Sequence, residues 1–193
     1  MPDSSDPYTW PGTDVLRNIL DIRDPQQLAA FEANATATRL IELADGPIVG
    51  HFDVAHVKAI HRYIFQDVFR WAGQFRTINI SKGGHLFGVA AFVEPALNEV
   101  LRKLAGERYL KGSDLRKFAT RAGFYTGEIN AIHPFRDGNG RVQREFIREL
   151  ATLAGFSIDW SKVTREQMTV ASVESFKTGD SSGMAALIEL SMK

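Results

Sequence analysis

The chain contains no cysteine. That excludes a disulfide framework and thiolate chemistry. No apolar run approaches the ~20 residues that a membrane-spanning helix needs. The opening residues, MPDSSDPYTWPG, lack the basic start and apolar stretch of a secretory signal. The expected location is therefore the cytoplasm, with no membrane contact. A surplus of one charge is missing too: Lys plus Arg and Asp plus Glu each number 23, so the net charge is zero. General nucleic-acid binders draw affinity from excess positive charge, so that class is set aside. Internal repeats, low-complexity tracts and obvious linkers are also lacking.

What is present suits one globular domain spanning residues 1–193, with 44% hydrophobic and 24% charged residues. The first dozen residues read as an irregular arm, with Tyr8 and Trp10 as anchors. Asp24-Pro25 reads as an N-cap followed by proline at the first helical position, opening a helix to about Ala44. Asp53 caps a second helix, with Val54, Val57, Ile60, Ile64, Phe65 and Val68 at helical spacing. Further helices are expected from Glu94-Pro95 to about Ala105, and from a cap at Ser113 through Phe118, Ala122, Tyr125 and Ile129. Another starts near Arg141, with the stripe Val142, Phe146, Leu150 and Leu153 and a stop at Gly155. Thr164 and Gln167 form a capping box for a helix to about Phe176. A last helix covers about Met184 to Leu190. One segment breaks the pattern. Phe75, Thr77 and Asn79 alternate with Arg76, Ile78 and Ile80 before Lys82-Gly83-Gly84, which predicts a β-hairpin. The fold class is all-α, a helical bundle carrying one hairpin.

The stretch HPFRDGNGRVQREF, residues 133–146, concentrates polarity between two apolar helices. Taken singly, each residue there fits a plain connection. The combination says more. Gly138 and Gly140 let backbone come close to a ligand, since neither has a Cβ. The helix that follows offers free N–H groups and the positive end of its dipole, which suits an anion. Arg141 and Arg144 are three apart and share a face of its first turn, which suits polyphosphate. Asp137 can hold Mg²⁺ against phosphates. His133 has the pKa range to take a proton from an attacking hydroxyl. These parts make a phosphoryl- or nucleotidyl-transfer site. They are not in the order of a Walker P-loop or of a kinase.

The stretch resembles the motif of the Fic (filamentation induced by cAMP) family, H-x-F-x-[DE]-G-N-G-R-x-x-R, at His133, Phe135, Asp137, Gly138, Asn139, Gly140, Arg141 and Arg144. The segment IHRYIFQDVFRWAGQFRTINISKGG also resembles the lead into the family's target-docking flap. The resemblance implies a helical core over about residues 50–180, with the N-terminal helices packed onto it. It implies that the chain is a protein adenylyltransferase, moving AMP from ATP to a hydroxyl of a target protein and releasing pyrophosphate. His133 would be the base and Phe135 the inward anchor of the loop. Asp137 would coordinate Mg²⁺ between the α and β phosphates. Gly138, Asn139 and Gly140 would form the anion hole, Arg141 would hold the β phosphate and Arg144 the γ phosphate. The hairpin from Ile78 through Ile80, Lys82 and Gly83 to Phe87 would be the flap. The alternatives are a phosphotransferase on the same fold and a catalytically idle binding module. The kept Gly140 and Arg144 disfavour the first; the kept His133 and Asp137 disfavour the second.

Fic enzymes are commonly restrained by an inhibitory helix carrying [ST]-x-x-x-E-[GN], whose Glu pairs with the second motif arginine. The nearest match here, Thr38 to Leu43 around Glu42, has Leu where Gly or Asn is required. The C-terminal helix offers Glu189 without Ser or Thr four residues earlier. A small antitoxin supplying the missing Glu is therefore an expected partner. An ATP-using protein such as a type II topoisomerase subunit is the expected target. Among other candidates, His51, His56 and His61 read as core or surface groups and not metal ligands. Arg148 reads as a solvated partner of Glu145 or Glu149. Lys82 and His85 read as an exposed tip, and Phe69 and Trp71 as packing beneath the hairpin.

Overall fold

Asp24, Asp53 and Thr164 each turn a side-chain oxygen onto the backbone N–H three residues ahead, so three helices begin where capping chemistry places them. The computed structural model describes residues 6–193, with His85 described by its backbone alone. Seven helices follow in order: α1 Pro25–Asp45, α2 Val54–Phe65, α3 Val93–Gly106, α4 Leu115–Ile132, α5 Asn139–Ala154, α6 Arg165–Thr178 and α7 Ser182–Ser191. Between α2 and α3 lies a hairpin of β1 Ser81–Lys82 and β2 His85–Leu86, paired antiparallel with Ser81 opposite Leu86. The all-α class with one hairpin is what the structure shows.

The core is built around α4, whose Phe118, Ala122, Tyr125 and Ile129 are buried. Its closest neighbour is α7. A Cβ at Gly123 would stand 2.7 Å from the backbone nitrogen of Ala185, so the two helices touch through glycine. On the other side α4 meets α5, which buries Val142, Phe146 and Leu150. Burial of each such side chain stabilises by about 1.5–3 kcal/mol. Helix α1 packs on α2 and buries Leu28, Thr36 and Leu43.

Several expected boundaries move. Asp114, not Ser113, caps α4, accepting from the Lys117 N–H at 2.8 Å; a carboxylate one residue nearer the helix takes the role. Helix α3 starts at Val93 with no side-chain cap, because a short 3₁₀ turn at Ala90–Phe92 leads into it. Val68 is buried beyond the end of α2, in a turn. Leu153 is 37% exposed, since the stripe has rotated off the core by the last turn of α5. The hairpin ladder is only two residues per strand, although alternation holds upstream: Arg76, Ile78 and Ile80 turn inward while Thr77 and Asn79 are exposed. The arm is anchored as expected at Tyr8, whose hydroxyl accepts from the Thr77 N–H at 3.1 Å. Among the described residues no helix is long and apolar enough to cross a membrane.

Candidate active site

Helix α4 ends at Ile132, and His133 caps it in the left-handed region at φ 50°. That turn throws the imidazole off the helix. Its Nδ1 lies 3.3 Å from the Asn130 carbonyl. A carbonyl only accepts, so Nδ1 carries the proton and Nε2 keeps its lone pair. Burial pushes the imidazole pKa down to about 4; the Asn130 bond opposes this, while the Lys82 and Arg76 charges add to it. The Phe87 ring stacks on His133 with centroids 3.8 Å apart and planes 17° off parallel.

The loop after His133 is held from below. Phe135 is fully buried and stacks on His61 at 3.8 Å. The His61 Nδ1 accepts from the Gly73 N–H at 2.8 Å, so its Nε2 donates to the Asp137 carbonyl at 3.2 Å. Burial drives His61 down to about 3, which keeps it neutral. Trp71 and Phe69 continue this ring stack, Trp71 on His61 and Phe69 on Trp71. The Asn139 side chain closes the loop on itself: its Oδ1 accepts from the Phe135 N–H at 2.9 Å and its Nδ2 donates to the Phe135 carbonyl at 2.8 Å.

The two glycines differ in what they do. Gly138 has φ 80°, and a Cβ there would stand 2.2 Å from Cζ of Phe65. At Gly140 the nearest atom to such a Cβ, apart from its chain neighbours and the backbone of its own helix, is Nη1 of Arg144 at 3.8 Å. The fold itself therefore demands Gly138, while Gly140 leaves space open to the cavity. Helix α5 begins at Asn139, two residues before the expected start, because Gly138 serves as its N-cap. Among the described residues, the N–H groups of Gly138, Asn139 and Gly140 meet no acceptor, whereas that of Arg141 is taken by the Gly138 carbonyl at 3.0 Å. Free N–H groups at a helix start form an anion cradle.

Arg141 and Arg144 flank this cradle. Arg141 pairs with Glu32 of α1 and lies 3.4 Å from Asp137. Arg144 makes no ion pair among the described residues; burial, then the Arg141 and Arg165 charges, hold its pKa below the usual arginine value. His133, Asp137, Gly140 and both arginines line one cavity of about 950 Å³, with Lys82, Gly83 and Phe87 contributed by the hairpin. That volume suits a nucleotide-sized ligand. Ile78 and Ile80, expected in the flap, are half-buried at its base and do not line the cavity. The Asp137 carboxylate is 42% exposed and faces this space, and Mg²⁺ is usually held by one or two carboxylates together with substrate phosphates. The donor set thus fits such an ion only when phosphates complete it. Among the described residues no cluster of three or more His, Asp or Glu forms a metal cage, and His51, His56 and His61 do not gather.

One central residue was not singled out in the sequence. Arg76 is 2% exposed, and its guanidinium donates to four carbonyls: His133 at 2.8 Å, Ile78 at 2.7 Å, Ile132 at 3.1 Å, and Gly88. It ties both ends of the hairpin to the end of α4. The inward phase of the Arg76-Ile78-Ile80 alternation was the signal available for it. Arg148 does pair with Glu145, at 2.6 Å, yet the pair is sheltered and not solvated, because Arg148 also donates to the Leu43 carbonyl at 2.8 Å.

Comparison with known proteins places this geometry. A model of the Fic/DOC family matches residues 51–151. The chain is 45% identical over 185 residues to the protein adenylyltransferase VbhT of Bartonella schoenbuchensis, covering 96% of this chain and 38% of that protein. It is 41% identical over 166 residues to the probable protein adenylyltransferase Fic of Escherichia coli strain K12, covering 85% and 81% of the two chains. Among solved structures, the N-terminal Fic domain of a putative cell filamentation protein from Bartonella quintana, with bound ADP, superposes with a TM-score of 0.92 at 29% identity, covering 96% and 94% of the two chains. BepC from Bartonella tribocorum, with bound AMPPNP, superposes with a TM-score of 0.91 at 28% identity, covering 96% of each chain.

Proposed function

The chain belongs to the Fic/DOC family, and on that premise we propose that it is a protein adenylyltransferase, transferring AMP from ATP to a hydroxyl side chain of a target protein. The observation that carries the reading is the opposition of a neutral imidazole to a free helix start across one cavity. Nε2 of His133 is unprotonated, and the N–H groups of Gly138, Asn139 and Gly140 are unclaimed among the described residues.

His133 takes the proton of the target hydroxyl through Nε2. The freed oxygen attacks the α phosphorus of ATP. One P–O bond forms and the bond to the bridging oxygen of the β phosphate breaks, so pyrophosphate leaves. The free N–H groups hold the phosphate oxygens where charge builds, and Arg141 and Arg144 receive the β and γ phosphates. Phe135 keeps the loop in place from the core. Mg²⁺ held by Asp137 would neutralise charge shared between the α and β phosphates. The target segment lies along the hairpin from Ile78 to Phe87 and pairs with its backbone edge at Ser81–Leu86, beside Lys82 and Gly83. A cytoplasmic setting accords with the use of ATP.

The unpaired Arg144 supports a second part of the reading. Glu42 is held by Arg39 and by the Tyr63 hydroxyl, each at 2.9 Å, and is not spent on Arg144. A separate antitoxin that inserts a Glu beside Arg144 would block the γ phosphate, and the chain would be the toxin of such a pair. An ATP-using protein such as a type II topoisomerase subunit is the proposed target.

ATP labelled at the α or at the γ phosphate tests the reaction when incubated with the chain and a bacterial lysate. Label on protein from α-labelled ATP alone, lost in His133→Ala, is the expected result. Label from γ-labelled ATP alone would make the chain a phosphotransferase. No label from either would leave a binding module.

A further inference from the structure

We infer that Glu32, in a helix that precedes the matched family segment, is a positioning residue that holds Arg141 in place for phosphate. The inference rests on the nucleotide site proposed above. The Arg141 guanidinium is fixed on three sides by residues outside its own loop. Its Nη2 donates to Glu32, whose side chain is only 15% exposed. Its Nη1 donates to the Thr36 hydroxyl at 3.1 Å. That hydroxyl gives its own proton to the Glu32 carbonyl at 2.7 Å, so toward Arg141 it can only accept. The Phe65 ring lies beneath the guanidinium at 4.5 Å.

The arrangement has a cost that a merely structural contact would avoid. Glu32 and Asp137 bring like charges to one guanidinium, and like charges so close repel. Arg148 shows that an arginine on α5 can be paired within its own helix, by Glu145 three residues earlier. For Arg141 the partner instead comes from a different helix, more than a hundred positions back in the chain. Glu32, Thr36 and Asp137 use part of the arginine's fork, and the remaining N–H groups are left for the cavity that Arg141 lines. A planar fork held this way meets phosphate without first losing side-chain freedom. The catalytic apparatus therefore extends beyond residues 51–151 into α1.

The test is a double-mutant cycle in the full chain between Glu32 and Arg141, read both as Mg²⁺-ATP binding by calorimetry and as AMP transfer. Glu32→Ala is expected to weaken Mg²⁺-ATP binding about tenfold, and Glu32→Gln, which still accepts from Arg141, to stay within about threefold of the parent. In an Arg141→Ala background, Glu32→Ala should change binding no further. Equal losses from Glu32→Ala with and without Arg141 would overturn the inference. So would tighter ATP binding in Glu32→Ala, which would make Glu32 a competitor of the phosphates. Unchanged melting of Glu32→Gln guards against misfolding. If no AMP is transferred by any form, the binding cycle still decides the role of Glu32, so the two readings fail separately.

Discussion

The ring of Phe87 lies flat on the imidazole of His133, 3.8 Å between centroids. Phe87 belongs to the hairpin side of the cavity and His133 to the end of α4, so this one contact joins the proposed docking side to the proposed base. Phe87 also meets Phe176 of α6 edge-on at 5.4 Å. The aromatic is itself held and not free to swing.

Removing the stack should loosen His133 without unfolding the chain. Aromatic pairs of this kind are worth about 0.5–1.5 kcal/mol beyond their burial, so Phe87→Ala should lower kcat by about tenfold. Phe87→Tyr should retain most of the activity. Steady-state transfer rates with saturating ATP measure this, and an unchanged kcat in Phe87→Ala would remove Phe87 from the site.

His133 should work in acid further than an ordinary histidine. Burial holds its pKa at about 4, so the neutral base persists as the pH falls below 6.5 and is lost only near 4. The acid limb of kcat/KM should fall there, measured with a target that stays folded. Stability carries the same sign. Between 6.5 and about 4 the unfolded chain takes up this proton and the folded chain does not, so the contribution is full above 6.5 and lost as the pH falls through that window. Urea unfolding at pH 7 and pH 5 should show the parent losing about 1–2 kcal/mol more than His133→Asn. Asparagine is the chosen replacement because it tolerates the left-handed backbone at this position.

The two motif glycines should separate folding from binding. Gly138→Ala places a methyl onto Phe65 at positive φ and should cost about 2–4 kcal/mol of stability. Gly140→Ala meets no close protein atom and sits in a helix, where alanine is favoured by about 0.5–1 kcal/mol over glycine. It should melt no lower than the parent yet bind ATP weakly, because the methyl would enter the proposed phosphate space. Thermal melts and ATP titrations on the two variants check this.

Asp137→Ala should weaken Mg²⁺-ATP far more than metal-free ATP. It removes a carboxylate that faces the cavity and leaves the N–H cradle intact. Calorimetry with Mg²⁺ and with a chelator decides it. Equal losses in both conditions would remove Asp137 from metal binding.

Much of this was legible in the sequence because the signals are local. Asp24-Pro25, Asp53 and the Thr164-Gln167 box fix helix starts through contacts three residues apart, and they stand where expected. His133, Asp137, Gly140, Arg141 and Arg144 are close in sequence, so one loop and the helix start that follows it bring them to one cavity without long-range assembly. What stayed hidden depends on chain segments meeting in space. Glu32 reaches Arg141 across 109 positions, and nothing in the spacing of α1 distinguishes it from another solvated acid. Arg76 followed the inward phase of a strand, where an arginine reads as an exception until the four carbonyls around it are seen. The separate duties of Gly138 and Gly140 depend on Phe65, which comes from α2.

The guanidinium of Arg76 gives the hairpin a fixed base, since both of its ends and the end of α4 hang on the same planar group. A template that is already ordered gives up little freedom when another strand is laid along it. In the proposed docking, the entropic cost would then fall on the incoming target segment alone, at about 1–2 kcal/mol for each backbone residue that must be straightened. Segments that are extended before they arrive would be modified in preference to those that must first leave a helix.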